Sequence, residues 1–171
     1  MASYNLRMNE QVYQASFNLS KNELEKNVGA FFGSILGTLN HQLVGDLLWL
    51  ARFSKHSDKY TSLNKTKEYP KPKTLNEILY PELTKLYQVR KEIDQIILQW
   101  VKEELDDGDL DFDLMYTNSK GIESIRNFAE LISHLFNHQT HHRGQVSTLL
   151  HQYGYDVGVT DFLMEIPEKQ A

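Results

Sequence analysis

Four of the seven histidines in this sequence of 171 residues fall between positions 134 and 142: His134, His138, His141 and His142. Two histidines four residues apart on a helix point the same way, so both rings can bind one metal ion. His138 and His142 have this spacing, and so do His134 and His138. The chain has no cysteine, which excludes disulfides and thiolate ligands. The cluster therefore predicts a divalent metal site made of imidazoles, although hydrogen-bonded core histidines would also explain it.

A helical wheel favours the later pair of histidines. The apolar stripe of the last predicted helix is centred near Leu131, and about 100° separates successive residues. His138 and His142 lie within about 20° of that centre, on opposite sides. His134 and His141 lie about 60° and 80° away from it. Burying two unpaired polar side chains would be unfavourable, and coordination of one ion would satisfy both.

A third ligand has to come from another helix. His41 is the only histidine in the interior of the long apolar helix predicted at about residues 33–54. It shares a helix face with Gly45, where a small residue permits close approach of a neighbouring helix. It lies away from the main leucine stripe, however, so periodicity permits His41 as a ligand without establishing it. His56 and His151 lie at or near helix ends and are predicted to be surface residues.

Hydrophobic periodicity predicts the helices that position these histidines. The long helices are expected at residues 4–18, 33–54, 82–105 and from Asn127 to Gly154. Possible capping boxes at residues 20–23 and 74–77 predict two further helix starts. Four long helices with one long connection indicate a four-helix bundle, and the length suits a single domain spanning residues 1–171.

Three other segments are not predicted to be long helices. Residues 111–125 alternate apolar and polar side chains around the turn formers Asn118, Ser119, Lys120 and Gly121, which predicts a short β-hairpin. Residues 55–73 contain two prolines and six lysines. This Lys-rich loop could be a lid or an anion-attracting rim, and a plain solvated connection is the simpler interpretation. The tail, residues 155–171, is expected to be extended and packed over the bundle.

Composition limits the classes of function. Hydrophobic residues make up 40% of the chain, charged residues 24%, and the net charge is −5. This balance is typical of a globular protein and does not favour a nucleic-acid partner, which usually needs a clustered basic face. No apolar run is long enough to span a membrane, and the first residues lack the apolar core of a signal peptide. We therefore expect a cytoplasmic protein.

Two segments resemble one known family. Residues 135–145, LFNHQTHHRGQ, resemble the last-helix signature of the DinB family of DinB/YfiT-like proteins. Residues 34–41, followed by Asp46, Trp49 and Arg52, resemble the second helix of that family. The segment GVTD at residues 158–161 is also similar, so that the resemblance covers nearly the whole chain. Its most specific part is the HxxxHRGQ run.

The resemblance implies an all-α fold, a four-helix bundle of the DinB/YfiT-like type with up-down-down-up order, often as a homodimer. It also implies a metal held by one histidine of the second helix and two of the last, which correspond to His41, His138 and His142. Zinc or nickel is the first expectation, and iron or manganese the second. Some family members are transferases that use low-molecular-weight thiols, and others are isomerases that need such a thiol.

Three neutral imidazoles would leave the charge of the metal uncompensated, so a molecule in the fourth position would be acidified. A thiol would be held as thiolate and water as hydroxide. The leading hypothesis is a metal-dependent transferase that activates a low-molecular-weight thiol toward a small-molecule substrate. A metal-dependent hydrolase and a non-catalytic metal-binding stress protein are the alternatives, so whether the chain is an enzyme stays open.

Three further residues are candidates for supporting roles. Asp46 could orient an imidazole, with a solvated or capping role as the alternative. Arg143 could steer an anionic substrate, or could be a surface arginine paired with an acid. Gln145 lies near the core face and could form a hydrogen bond with a ligand or with the neighbouring helix.

Overall fold

Helices make up most of the structure, a computed structural model that describes residues 1–118 and 120–169. Within these residues the α-helices and β-strands are α1 (Ala2–Ser16), α2 (Lys21–Glu25), α3 (Ile35–Phe53), α4 (Leu83–Gln99), β1 (Asp113–Thr117), β2 (Glu123–Asn127) and α5 (Phe128–Gln152). A short π-helix, Trp100–Glu104, continues α4. Helix α1 packs on α4 and α5, and α5 packs on α3, which also contacts α4. The predicted all-α bundle with a hairpin before its last long helix is confirmed.

Side-chain caps explain where several helices begin. Ser20 and Glu23 form both hydrogen bonds of a capping box at the start of α2. The side chain of Ser34 accepts a hydrogen bond from the Gly37 N–H at the start of α3, and Asn127 caps α5 in the same way. Gly154 follows the end of α5 with a φ of +85°, a conformation that glycine adopts at little cost. These three helix starts and the end of α5 agree with the sequence predictions.

The predicted helix start at Thr74 is wrong. Residues 74–77 form a turn, in which the Glu77 N–H donates a hydrogen bond of 3.4 Å to the Thr74 carbonyl. The Glu77 carboxylate accepts a hydrogen bond from the Lys73 backbone N–H instead of capping a helix. The turn leaves the carbonyl of Leu75 available to a side chain of α3.

The Lys-rich loop is more ordered than predicted. It contains a 3-10 helix, Ser62–Glu68, and two of its apolar side chains, Tyr60 and Leu63, are buried in the core. The Glu104 carboxylate accepts hydrogen bonds from the Ser62 N–H at 2.9 Å and the Ser62 hydroxyl at 2.8 Å. Tyr60 and Leu63 anchor the segment against α3 and α4, because apolar burial outweighs the polar composition around them.

The hairpin agrees with its prediction, and the tail packs over the bundle as predicted but contains a 3-10 helix, Phe162–Glu165, where an extended segment was expected. Met115 pairs with Ile125 in the antiparallel hairpin, and Tyr116 packs against Trp49 of α3 with ring centroids 5.2 Å apart. Ser119 of the predicted turn lies outside the described residues. The tail packs on α1, where Arg7 forms an ion pair of 2.8 Å with Glu165. Residues 170 and 171 of the predicted tail also lie outside the described residues.

A buried ionic cluster joins α3 to α4. Arg90 of α4 forms ion pairs with Asp46 of α3 and, at 2.8 Å, with Asp94 one turn further along α4. The side chains of Arg90 and Asp46 are 1% and 0% exposed. The side-chain amide of Gln139 on α5 also donates to Asp46. The carboxylate of Asp46 therefore holds α4 and α5 to α3.

The same cluster extends to α1. Arg143 of α5 is buried and donates hydrogen bonds to the side-chain oxygens of Asn5 and Asn9, the latter at 3.2 Å. The Asn9 amide donates to Asp94 at 3.0 Å. All four long helices of the described chain thus contribute to one polar network. Because buried polar groups are costly unless they are paired, this network favours a single register of the four helices.

No helix of the described residues is long and apolar enough to cross a membrane.

Removing the central cation should destabilise the bundle. We expect Arg90→Met to lower the free energy of unfolding by about 3–5 kcal/mol, because Asp46 and Asp94 would stay buried without a counter-charge. Urea denaturation followed by far-UV circular dichroism measures the change. The matched control is Gln95→Met on the exposed face of the same helix, which should change stability by less than about 0.5 kcal/mol. Equal stability of the two variants would contradict the role given to Arg90.

Candidate metal centre

Helices α3 and α5 bring three imidazoles together inside the bundle. His41 lies in the first half of α3, and His138 and His142 lie one turn apart on α5. His41 and His142 are buried and His138 is half-buried. The Nε2 atoms of His41 and His138 are 3.0 Å apart, and one ring nitrogen from each of the three residues lies within 4.8 Å of the others. The structure therefore assembles the three histidines that the sequence singled out.

Hydrogen bonds set the tautomers of two rings. The Leu75 carbonyl lies 2.7 Å from Nδ1 of His41, and because a carbonyl only accepts, Nδ1 carries the proton. The Gln145 side-chain oxygen likewise accepts from Nδ1 of His142 at 2.8 Å. In this arrangement the Gln145 amide nitrogen faces Nε2 of His141 at 3.1 Å. His41 and His142 consequently present unprotonated Nε2 atoms.

A glycine makes room for the third ring. A Cβ atom at Gly45 would lie 2.7 Å from Cε1 of His138, closer than real Cβ contacts come. A side chain at this position of α3 would therefore displace the His138 ring. Nδ1 of His138 is buried and has no hydrogen-bond partner within the described part of the chain. The position of this ring depends on packing against Gly45 rather than on a hydrogen bond of the kind that holds His41 and His142.

An aromatic side chain covers one side of the cluster. Phe32, in the turn before α3, stacks on His41 with ring centroids 3.6 Å apart and planes inclined by 14°. It also meets His142 edge-on at 5.5 Å. This turn passes close over α3, because a Cβ atom at Gly37 would lie 2.1 Å from the Phe32 carbonyl oxygen. Gly37 is thus required for Phe32 to reach the histidines.

Burial keeps the three imidazoles neutral. Desolvation, with a smaller contribution from the neighbouring histidines, lowers the pKa of His138 to about 3. Burial also lowers the pKa of His41 and of His142, while the hydrogen bonds to Leu75 and Gln145 partly oppose that effect. Neutral imidazole is the form that coordinates metal ions.

The arrangement has the properties expected of a site for a divalent metal ion. His41 and His138 have ligand atoms 3.0 Å apart, near the separation of about 3.3 Å that two nitrogen ligands of a tetrahedral zinc ion have. A metal-binding histidine usually donates its other ring N–H to a carbonyl or carboxylate, as His41 does to Leu75. Two nitrogen lone pairs repel each other at this distance unless a proton or a metal ion lies between them. A metal ion between the Nε2 atoms of His41 and His138 would remove that repulsion. The three histidines could therefore hold such an ion.

Comparison with known proteins covers nearly the entire chain. The DinB family model matches residues 1–170. The chain belongs to the DinB family. Protein DinB of Bacillus subtilis (strain 168) is 30% identical over 164 residues, which cover 93% of this chain and 87% of that protein. No solved structure matches the chain.

Two of the predicted supporting residues do not reach the histidines. Asp46 is fully buried and contacts Arg90 and Gln139, and it forms no hydrogen bond to an imidazole of the described residues. Arg143 is 4% exposed and bonded to asparagines of α1. It is therefore not a surface arginine, and its hydrogen bonds are made to α1 rather than to the histidines. The sequence predicts both side chains at the site or on the surface, because it does not reveal their partners on other helices.

Of the remaining polar candidates, one contacts the histidine cluster and two lie exposed beside it. Gln145 contacts His142, three residues before it on the same helix. His141 is exposed beside Gln145, and His134 is exposed and packs against Trp49 rather than joining the cluster. The structure therefore agrees with the helical wheel, since His138 and His142, and not His134, join His41 in the cluster.

The sequence predictions did not foresee the burial of His56, which lies outside the histidine cluster, or two contributors to the site. His56 is half-buried and stacks on a core phenylalanine, so the surface prediction holds only for His151, which is exposed. Phe32 and the carbonyl of Leu75 were not predicted to reach the cluster. Only the tertiary path of their loops brings them to His41, and no sequence signal marks a backbone carbonyl.

The packing of His138 against α3 can be tested with two helical glycines. We expect Gly144→Ala, where a Cβ meets nothing within 4 Å, to stabilise the protein by up to about 1 kcal/mol through helix propensity. Gly45→Ala should lack that gain and should displace the His138 ring. Urea denaturation measures the first effect, and the imidazole signals in ¹H–¹⁵N NMR spectra measure the second. An equal gain in stability with unchanged His138 signals in Gly45→Ala would contradict this packing.

Proposed function

We propose that this DinB-family protein binds a divalent metal ion through His41, His138 and His142 and activates a low-molecular-weight thiol for transfer to an electrophilic small molecule. The convergence of three imidazoles from two helices carries the proposal. Zinc and nickel are the first candidate ions, followed by iron and manganese, because imidazole suits several first-row metals.

The donor set supports catalysis better than a purely structural role. Structural zinc sites are usually closed by four protein ligands, whereas catalytic sites often use three and leave a position for substrate. Within the described residues the cluster comprises three histidines and includes no carboxylate. A bound ion would supply Lewis acidity, which lowers the pKa of a thiol in the open position.

The protein residues would supply orientation and a partly dry environment. The Leu75 carbonyl and the Gln145 amide oxygen hold His41 and His142 with their Nε2 lone pairs directed away from these acceptors. Phe32 excludes water from one face of His41. In the transfer, a sulfur–carbon bond forms as the bond from carbon to the leaving group breaks. The leaving group departs with the electron pair, and the thiol proton passes to solvent.

We also propose that the protein is a homodimer, as the family resemblance implies, and that it is cytoplasmic, as the sequence predicts. Water could occupy the same open position as a thiol, in which case the protein would be a hydrolase. A metal-binding protein without turnover is the non-catalytic alternative. Activity measurements distinguish these functions.

Metal binding is tested by elemental analysis of the purified protein and two histidine variants. We expect a stoichiometric divalent metal in the native protein and almost none in His142→Ala, which removes one of the converging nitrogens. The matched control is His134→Ala, which has the same spacing from His138 but lies on the exposed side, and it should keep its metal. Circular dichroism verifies folding. Equal metal content in all three proteins would remove His142 from the site.

Thiol transfer is tested with glutathione or cysteine and 1-chloro-2,4-dinitrobenzene, from which the thiolate displaces chloride. We expect turnover that disappears after treatment with EDTA and returns when zinc or nickel is added. His134→Ala should retain the activity and His142→Ala should lose it.

Hydrolysis of p-nitrophenyl acetate without any thiol would favour the hydrolase over the transferase. Stoichiometric metal without turnover in either assay would favour the non-catalytic metal-binding protein.

A further inference from the structure

A basic cavity of about 650 Å³ lies beyond the histidines, beside the second half of α3. One wall is formed by α3 residues, another by the segment Lys71–Leu75, and a third by the end of β1. Its cationic side chains are Arg52, Lys55, Lys67, Lys71 and Lys73. Among the described residues that line it, none is acidic.

This concentration of positive charge is not a general property of the surface. The whole chain has a net charge of −5. A second groove, of about 870 Å³, contains three lysines and three glutamates and is therefore balanced: Lys65, Lys91, Lys102, Glu68, Glu92 and Glu103. The two cavities are similar in volume, but only the first is lined by charges of a single sign.

The cations of the basic cavity are not neutralised from within the chain. Within the described residues, no carboxylate forms an ion pair with any of the five side chains. The Lys67 ammonium group contacts the Asn64 side-chain oxygen at 2.6 Å, a neutral partner. Glu77 contacts the backbone N–H of Lys73 but does not line the cavity. Like charges collected in a concave site repel one another and attract an anion.

One of the cations is held in place by aromatic rings. Arg52 is half-buried, with its guanidinium carbon 4.6 Å from the ring centroid of Trp49 and 5.2 Å from that of Tyr116. This packing limits the freedom of the side chain and leaves the planar group suited to bidentate binding of a carboxylate or phosphate. The lysines around it are exposed and can adjust to the ligand.

We propose that this cavity binds a small molecule that carries at least two negative charges as carboxylate or phosphate groups. Arg52 would bind one anionic group, and Lys55, Lys67, Lys71 and Lys73 would surround the others. Thr74, at the edge of the cavity, adds a neutral hydrogen-bonding side chain. The volume fits a small molecule, since ligand pockets commonly have about 300–1,000 Å³.

The cavity adjoins the histidine cluster without being part of it. His41, Gly45, Leu48 and Arg52 follow one another on a single face of α3, and Leu48 and Arg52 line the cavity. Seven residues of helix, about 10 Å, separate His41 from Leu48. Leu75 lines the cavity and also accepts the hydrogen bond from His41. Anion binding does not depend on the proposed metal site, so each proposal can fail separately.

Isothermal titration calorimetry with tricarballylate and with inorganic phosphate tests the site, because these probes supply the two kinds of anionic group. We expect the full chain to bind at least one of them, more weakly as ionic strength rises. Lys71→Gln combined with Lys73→Gln should weaken binding by about 10-fold or more, since hydrogen bonds to charged groups are lost. Both lysines are exposed, and circular dichroism confirms that the variant folds.

Two controls separate binding in the basic cavity from general attraction to surface lysines and from binding at the histidines. Lys91→Gln combined with Lys102→Gln removes the same charge from the balanced groove and should leave the affinity unchanged. His142→Ala should also bind the probe normally, because the anion does not bind to the histidine cluster. The proposal is overturned if neither probe binds, if both lysine pairs weaken binding equally, or if His142→Ala abolishes it.

Discussion

Two arginines and two aspartates are buried among the four long helices of the described chain, and their formal charges cancel: Arg90, Arg143, Asp46 and Asp94. Removal of Arg90 would leave Asp46 and Asp94 in the core without the cation that pairs with both of them, which is among the most destabilising changes a protein can undergo. Apolar contacts tolerate small shifts between helices, whereas paired charges and hydrogen bonds do not. This network therefore determines how the helices align along their lengths.

The histidine cluster depends on that alignment. Gly45 precedes Asp46 on α3, and His138 precedes Gln139 on α5. The hydrogen bond between Asp46 and Gln139 consequently places the glycine opposite the histidine, where a larger residue would collide with the ring. A shift of one residue along either helix would separate His138 from His41. The polar network and the candidate metal centre are thus neighbouring parts of one contact between α3 and α5.

Much of this architecture could be predicted from local signals in the sequence. Apolar periodicity located the long helices, side-chain caps located several of their ends, and the spacing of His138 and His142 identified two of the three histidines in the cluster. His41 needed the family resemblance, because its own position on α3 was ambiguous. Long-range contacts escaped prediction for a physical reason, since the partners of Asp46 and Arg143 lie on other helices.

The buried polar network could have been recognised in part from the sequence. Arg90 and Asp94 lie four residues apart within the apolar stripe of α4, and Asn5 and Asn9 have the same spacing on α1. Polar pairs at core positions require partners, so these pairs could have been taken as signs of a buried network. At Thr74 the sequence signal was present but misleading. The residues of the capping motif form hydrogen bonds within their own loop and do not start a helix.

The ring of Phe32 restricts the directions from which a molecule can approach His41. One flank of that imidazole is occupied by hydrocarbon at a centroid distance of 3.6 Å, and α3 and α5 carry the three histidines. In the proposed function, a reactant would therefore have to reach His41 from a side that Phe32 leaves free. Hydrocarbon at the flank also lowers the local dielectric, which strengthens the attraction between a cation on the imidazoles and an incoming anion. Selection among reactants would then begin with the path of entry, before any bond is made.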